Sequence, residues 1–144
     1  MRILKISLIS MFFMLVYTNV FSGTIKSDLR CFTDKSTQKT KLEMRVYSDE
    51  EQNWNGGYIK YGENKPPISI IFQSSKVIDE YEGRPSTFET VWLEVSTTEA
   101  TGKYIAITQG SRVYSLEYLG RKSKKIYKFD ETVQRNIKGD NCNW

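Results

Sequence analysis

Phe88-Glu89-Thr90-Val91-Trp92-Leu93-Glu94-Val95-Ser96 decides the fold class. It joins β-branched and aromatic residues in strict alternation, with Val91, Leu93 and Val95 on one face and Phe88, Thr90, Trp92 and Glu94 on the other. A period of two is the mark of a strand half-covered by a core. If Val91, Leu93 and Val95 line that core, Phe88 and Trp92 fall on a second, partly apolar face of the kind that meets a partner. For Trp92 the alternative is a fold that covers both faces.

The pattern recurs on either side. Downstream, residues 103–108 return as a hairpin partner after the loop at 97–102. Residues 112–118 set Tyr114, Leu116 and Tyr118 on one face, and Ile126-Tyr127-Lys128-Phe129 closes the set. Upstream, residues 41–47 alternate apolar and charged, and residues 54–61 carry aromatics around Gly56-Gly57, which signals a bulge or a close backbone approach. Residues 68–72 read as a central strand and 76–81 as a further one. Gly62-Glu63-Asn64-Lys65-Pro66-Pro67 and Glu82-Gly83-Arg84-Pro85-Ser86 are turns. Only residues 131–137 suggest a short C-terminal helix, with Asp130 as its cap. Seven to eight short strands without a βαβ unit predict an all-β, antiparallel barrel or sandwich. Adjacent chain ends favour the barrel, which has no free edges.

The N-terminus gives the compartment. Met1-Arg2-Ile3-Leu4-Lys5 is positive, residues 6–16 are apolar apart from Ser7 and Ser10, and Val20-Phe21-Ser22 precedes Gly23. That is the layout of a cleavable secretory signal over residues 1–22, leaving residues 23–144 as one soluble domain. The predicted location is periplasmic or secreted. The formal charge of +4 falls to +2 once Arg2 and Lys5 are removed, so no long-range attraction to nucleic acid is expected. The two cysteines, Cys31 and Cys142, predict one disulfide joining the ends of that domain.

The chain contains no histidine. The commonest general base and metal ligand are therefore missing, and a Ser-His-Asp or Cys-His arrangement is impossible. Oxidised cysteines supply no thiolate nucleophile. Asp79, Glu80, Glu82, Glu89 and Glu94 remain. A carboxylate pair can in principle run glycoside hydrolysis, but nothing in their spacing points to one and no Asp-x-Asp-x-Asp calcium loop is present, so Asp79 to Glu82 reads as a solvated acidic turn. No enzyme activity, cofactor or metal is expected.

The sharpest charge feature is Arg121-Lys122-Ser123-Lys124-Lys125, continued by Lys128 and flanked by Tyr118 and Tyr127. Such a turn suits an anionic lipid, an anionic glycan or an acidic protein; its plainer role is to keep a hairpin soluble. In size, signal, disulfide and β content the chain is similar to the small periplasmic proteins of Gram-negative bacteria that neutralise cell-wall enzymes. These are the lysozyme inhibitors and the immunity proteins paired with secreted toxins. The similarity covers layout alone, so no residue's role is carried over from it. It implies a non-catalytic protein-binding module, an inhibitor or immunity protein. The slight positive charge disfavours a basic target. The second expectation is a barrel that binds a small ligand, envelope lipid or glycan. Trp54, Tyr58, Arg84, Trp92, Arg121 and Lys124 are the candidate partner contacts.

Overall fold

The computed structural model describes residues 23–96, 99–132, 137–138 and 140–144. The expected signal at 1–22 lies outside the described residues. Eight strands form one antiparallel meander: β1 (Lys26–Asp34), β2 (Lys41–Asp49), β3 (Trp54–Tyr61), β4 (Ile68–Asp79), β5 (Thr87–Val95), β6 (Ala100–Gln109), β7 (Arg112–Gly120) and β8 (Ile126–Glu131). β8 returns to pair with β1, so the sheet closes as a barrel rather than splitting into a sandwich. A small ribbon of β9 (Ile137–Lys138) and β10 (Asn141–Cys142) follows. No helix occurs among the described residues. Of the expected helix at 131–137, Glu131 ends β8 and Ile137 begins β9, while 133–136 lie outside the described residues. No helix among them is long and apolar enough to cross a membrane.

An eight-stranded barrel is just wide enough for side chains to fill it. Phe32, Leu42, Met44, Ile59, Ile70, Trp92, Tyr104, Ala106, Leu116 and Phe129 do so. The parity of β5 is the reverse of the sequence expectation. Trp92 and Glu94 point into the lumen, and Val91, Leu93 and Val95 lie half-buried on the outer surface. The alternation itself is real, but Val-Leu-Val is as apolar as the inward set, so hydrophobicity alone chose the wrong face.

Two strands differ from expectation for physical reasons. β1 carries no visible alternation because Asp28, Arg30 and Asp34 share its lumen side with Phe32. Arg30 is tolerated there through ion pairs of 2.8 Å to both Glu131 and Asp28. The segment 68–72 and residues 76–79 of the segment 76–81 belong to a single strand, β4, because a bulge takes up Gln73 between the pairs Phe72↔Trp92 and Ser74↔Val91. Another bulge, at Tyr114, turns Val113 inward and leaves Tyr114 exposed.

Cys31 faces out of the barrel and bonds to Cys142, with a Cα–Cα distance of 5.8 Å. The bridge holds the C-terminal ribbon against the outer wall over Glu43, the cross-strand partner of Cys31. Gly57 sits where β2 and β3 approach closely: a Cβ there would collide with the Arg45 carbonyl oxygen.

Candidate functional site

The barrel wall is uneven. β3 and β4 pair only over Gly56 to Ile59 and Ile68 to Ile71. β4 then continues to Asp79 with β5 as its sole neighbour among the described residues. One edge of the segment from Phe72 to Asp79 therefore carries unpaired backbone N–H and C=O groups. Phe72, Val77, Ile78, Tyr81 and Phe88 are between 38% and 46% exposed on and around this overhang. Pairing places Val77 across from Phe88, and Ser75 across from Thr90 with their hydroxyls 3.0 Å apart. Phe72 meets Trp92 edge to face, with ring centroids 5.7 Å apart and planes at 76°. The overhang thus continues the inner face of the barrel beyond its mouth and leaves it open. Its far end carries Asp79, Glu80 and Glu82, all exposed, against the single Arg84.

Two of the sequence candidates join this end. Trp54 begins β3, is 49% exposed and lays its ring over Gly56, beside the point where β3 leaves β4. Arg84 lies in the β4–β5 turn. The other four lie elsewhere. Trp92 is a core residue, 7% exposed, which corrects its place as a surface contact: its face of β5 is the lumen.

Tyr58 faces outward into a polar network beneath the ribbon. Its hydroxyl donates to Glu43 Oε1 at 2.8 Å and accepts from Arg45 Nε at 3.1 Å. The Cys142 N–H donates to Glu43 Oε2 at 2.9 Å, and the Arg45 guanidinium to the Asp140 carbonyl. Burial and the hydrogen bond to Glu43 push the Tyr58 phenol above its ordinary pKa. These links fasten the ribbon, so the geometry gives Tyr58 a structural part.

Arg121 and Lys124 lie at the opposite end of the barrel, in the β7–β8 turn. They border an outer groove of about 480 Å³ lined by Leu93, Ala100, Lys103 and Leu119. Arg121 donates to Glu99 Oε2 and to the Ala100 carbonyl, both at 3.3 Å. The same end holds a buried lumen carboxylate, Glu94. Oε1 accepts from Thr101 at 2.5 Å and Tyr118 at 3.4 Å; Oε2 accepts from Tyr104 at 2.9 Å. The Tyr61 and Tyr104 hydroxyls are 2.8 Å apart. Burial, reinforced by the negative charge of Glu94, pushes the Tyr118 phenol up to about 12 and that of Tyr104 still higher. These hydroxyls therefore stay protonated and donate.

Among the described residues, no three Asp, Glu or Cys side chains converge as metal ligands. What the sequence reading missed is the patch of Phe72, Val77, Ile78 and Tyr81. The signal for it was a difference in strand length, with eight residues in β3 against twelve in β4. Comparison with protein-family models, curated proteins and solved structures finds no match to this chain.

Proposed function

We propose that this chain is an exported, non-catalytic protein-binding module, an inhibitor or immunity protein, that takes an extended segment of its partner alongside the free edge of β4. The supporting observation is the overhang from Phe72 to Asp79, which combines an unpaired strand edge with exposed Phe72, Val77, Ile78 and Phe88. Strand addition draws affinity from main-chain hydrogen bonds and specificity from alternate side chains, and both are on offer here. A rigid edge also loses little entropy on binding. Asp79, Glu80 and Glu82 make the tip locally acidic although residues 23–144 carry a net positive charge. The partner segment is therefore extended and apolar at alternate positions, with a basic flank.

The test uses the oxidised protein from Gly23 onward and its double variant Val77→Lys/Ile78→Lys, checked for equal thermal stability. Both are immobilised and offered envelope and secreted proteins. One stoichiometric enzyme or toxin should bind the wild type, lose activity in its presence and ignore the variant. Equal capture by both proteins removes β4 from the account. Self-association that the variant abolishes makes a second copy the occupant. A co-purifying lipid or glycan with no protein partner overturns the reading.

A further inference from the structure

The far end of the barrel from the β4 overhang holds a second feature that protein docking does not use. A cavity of about 190 Å³ opens there, lined by Asp34, Thr40, Tyr61, Tyr118, Tyr127 and Phe129. Four of these six are aromatic, one is a carboxylate and none is basic. The Tyr118 and Tyr127 ring centroids lie 6.3 Å apart with planes at 38°, and Tyr104 backs Tyr118 at 4.8 Å. The hydroxyls of Tyr61 and Tyr118 are tied inward, to Tyr104 and to Glu94.

Two carboxylates act on this space. Asp34 is 8% exposed and accepts four hydrogen bonds, all on Oδ1, from the backbone N–H and side-chain hydroxyl groups of Ser36 and Thr37 at 2.6–3.2 Å. Those bonds, the Ser36 hydroxyl first, hold its pKa below the ordinary carboxylate value, so it is ionised at neutral pH. Glu94, also 8% exposed, stands one hydroxyl deeper, and its hydrogen-bond donors are all neutral. Asp34 therefore gives the lining a negative charge beside four aromatic rings, and no cationic side chain lines it.

We propose that the aromatic cage of Tyr61, Tyr118, Tyr127 and Phe129, with Asp34 at its edge, binds the quaternary ammonium group of a small organic cation. Ring faces attract a cation within about 6 Å of their centroids, most strongly where water is excluded. A quaternary ammonium has no N–H, so a lining with few free acceptors suits it better than a lysine-type ammonium, which needs three. A void of about 150 Å³ holds a benzene, and pockets for drug-sized ligands start near 300 Å³. This cavity therefore takes a head group rather than a whole large ligand. Tyr118 and Tyr127 also wall a neighbouring cavity of about 320 Å³ that reaches Arg121, Lys122 and Ser123. Glu99 lines this cavity too and pairs with Arg121 at 3.3 Å and Lys122 at 3.9 Å, so an anion attached to the cation would compete with it for those groups.

The test is calorimetric titration of the oxidised protein from Gly23 with tetramethylammonium, choline, phosphocholine and the neutral choline analogue 3,3-dimethyl-1-butanol. The expected result is saturable one-to-one binding of tetramethylammonium and choline, with the neutral analogue about tenfold weaker, as a cation–π and carboxylate contribution near 1.4 kcal/mol requires. Tyr127→Leu keeps the apolar surface and should lose about the same factor. Tyr127 is 44% exposed, so this variant should fold even where Asp34→Asn, which disturbs a turn, does not. Phosphocholine binding more tightly than choline, with the gain lost in Arg121→Ala/Lys122→Ala, identifies a phosphate-bearing source. Equal affinities identify a free cation. Equal binding of the neutral analogue, no effect of Tyr127→Leu, or no saturable binding of any cation overturns the proposal.

Discussion

Replacing Cys31 and Cys142 together by alanine should cost stability without opening the barrel. The two residues are 111 positions apart. For a loop of that length, chain-entropy arithmetic gives about 4.8 kcal/mol, arising almost wholly in the unfolded state. The native barrel keeps its closure because Phe32, Thr33 and Asp34 pair with Glu131, Asp130 and Phe129 independently of the bridge. What is released locally is the ribbon, and with it the Cys142 N–H bond to Glu43. Glu43 then regains water, which offsets part of that loss and makes the entropic figure an upper one. Alanine is the right replacement because both cysteines are buried, and serine would add a buried hydroxyl. Urea unfolding of the oxidised wild type and the variant should show a lower midpoint and a larger m-value for the variant, since an unbridged chain exposes more surface when unfolded. Hydrogen exchange at the backbone amide of position 142 should be faster in the variant well before the barrel unfolds. A loss below about 1 kcal/mol with an unchanged m-value would refute the entropic reasoning.

Trp92→Ala should cost about 3–5 kcal/mol, as for other core aromatics, and a cost under about 1 kcal/mol in urea would return the ring to the surface. Tyr61, Tyr104 and Tyr118 have folded pKa values raised above the unfolded value near 10, mainly by burial, so their contribution is complete below about pH 10 and is lost as pH rises through the folded values. Stability should therefore fall between about pH 10 and 12. The slope should be shallower in Tyr118→Phe, and identical slopes for the two proteins would contradict the assignment. Glu94→Gln should cost about 1 kcal/mol, because the Tyr104 hydroxyl can accept from the new amide and donate to Tyr61. Glu94→Leu leaves the Thr101 and Tyr118 hydroxyls without their acceptor and should cost at least about 2 kcal/mol more; a leucine variant as stable as the glutamine one would remove the network from the account.

The strand content was legible because seven of the barrel strands carry β-formers in runs bounded by Gly, Pro or acidic turns. β1 was not, because ion pairing lets Asp28 and Arg30 stand where apolar residues usually do. The break read at Gln73-Ser74-Ser75 was a bulge, which no propensity scale separates from a turn. The reversal of β5 has a different cause. Glu94 can face inward only because hydroxyls from β6 and β7 meet it, and those contacts join residues up to 24 positions apart. Periodicity shows that two faces exist; the partners of the polar residue decide which one is inside.

The sites were harder still, because each is made by a mismatch between neighbours. Nothing in residues 68–79 says that their edge is free; the edge is free because β3 turns away at Trp54 while β4 runs on. The basic turn was the loudest charge signal, yet its Arg121 points to Glu99 and Ala100, and the aromatic cavity beside it was visible only as scattered tyrosines. Tyr118 and Tyr127 meet by register across β7 and β8, and Tyr61 arrives from β3, across the lumen. Because the overhang and the cage sit at opposite ends of one closed sheet, the two proposals are separable. Val77→Lys/Ile78→Lys should leave tetramethylammonium binding unchanged, and Tyr127→Leu should leave partner capture unchanged. Loss of both functions in either variant would mean that the barrel, not the site, had been damaged.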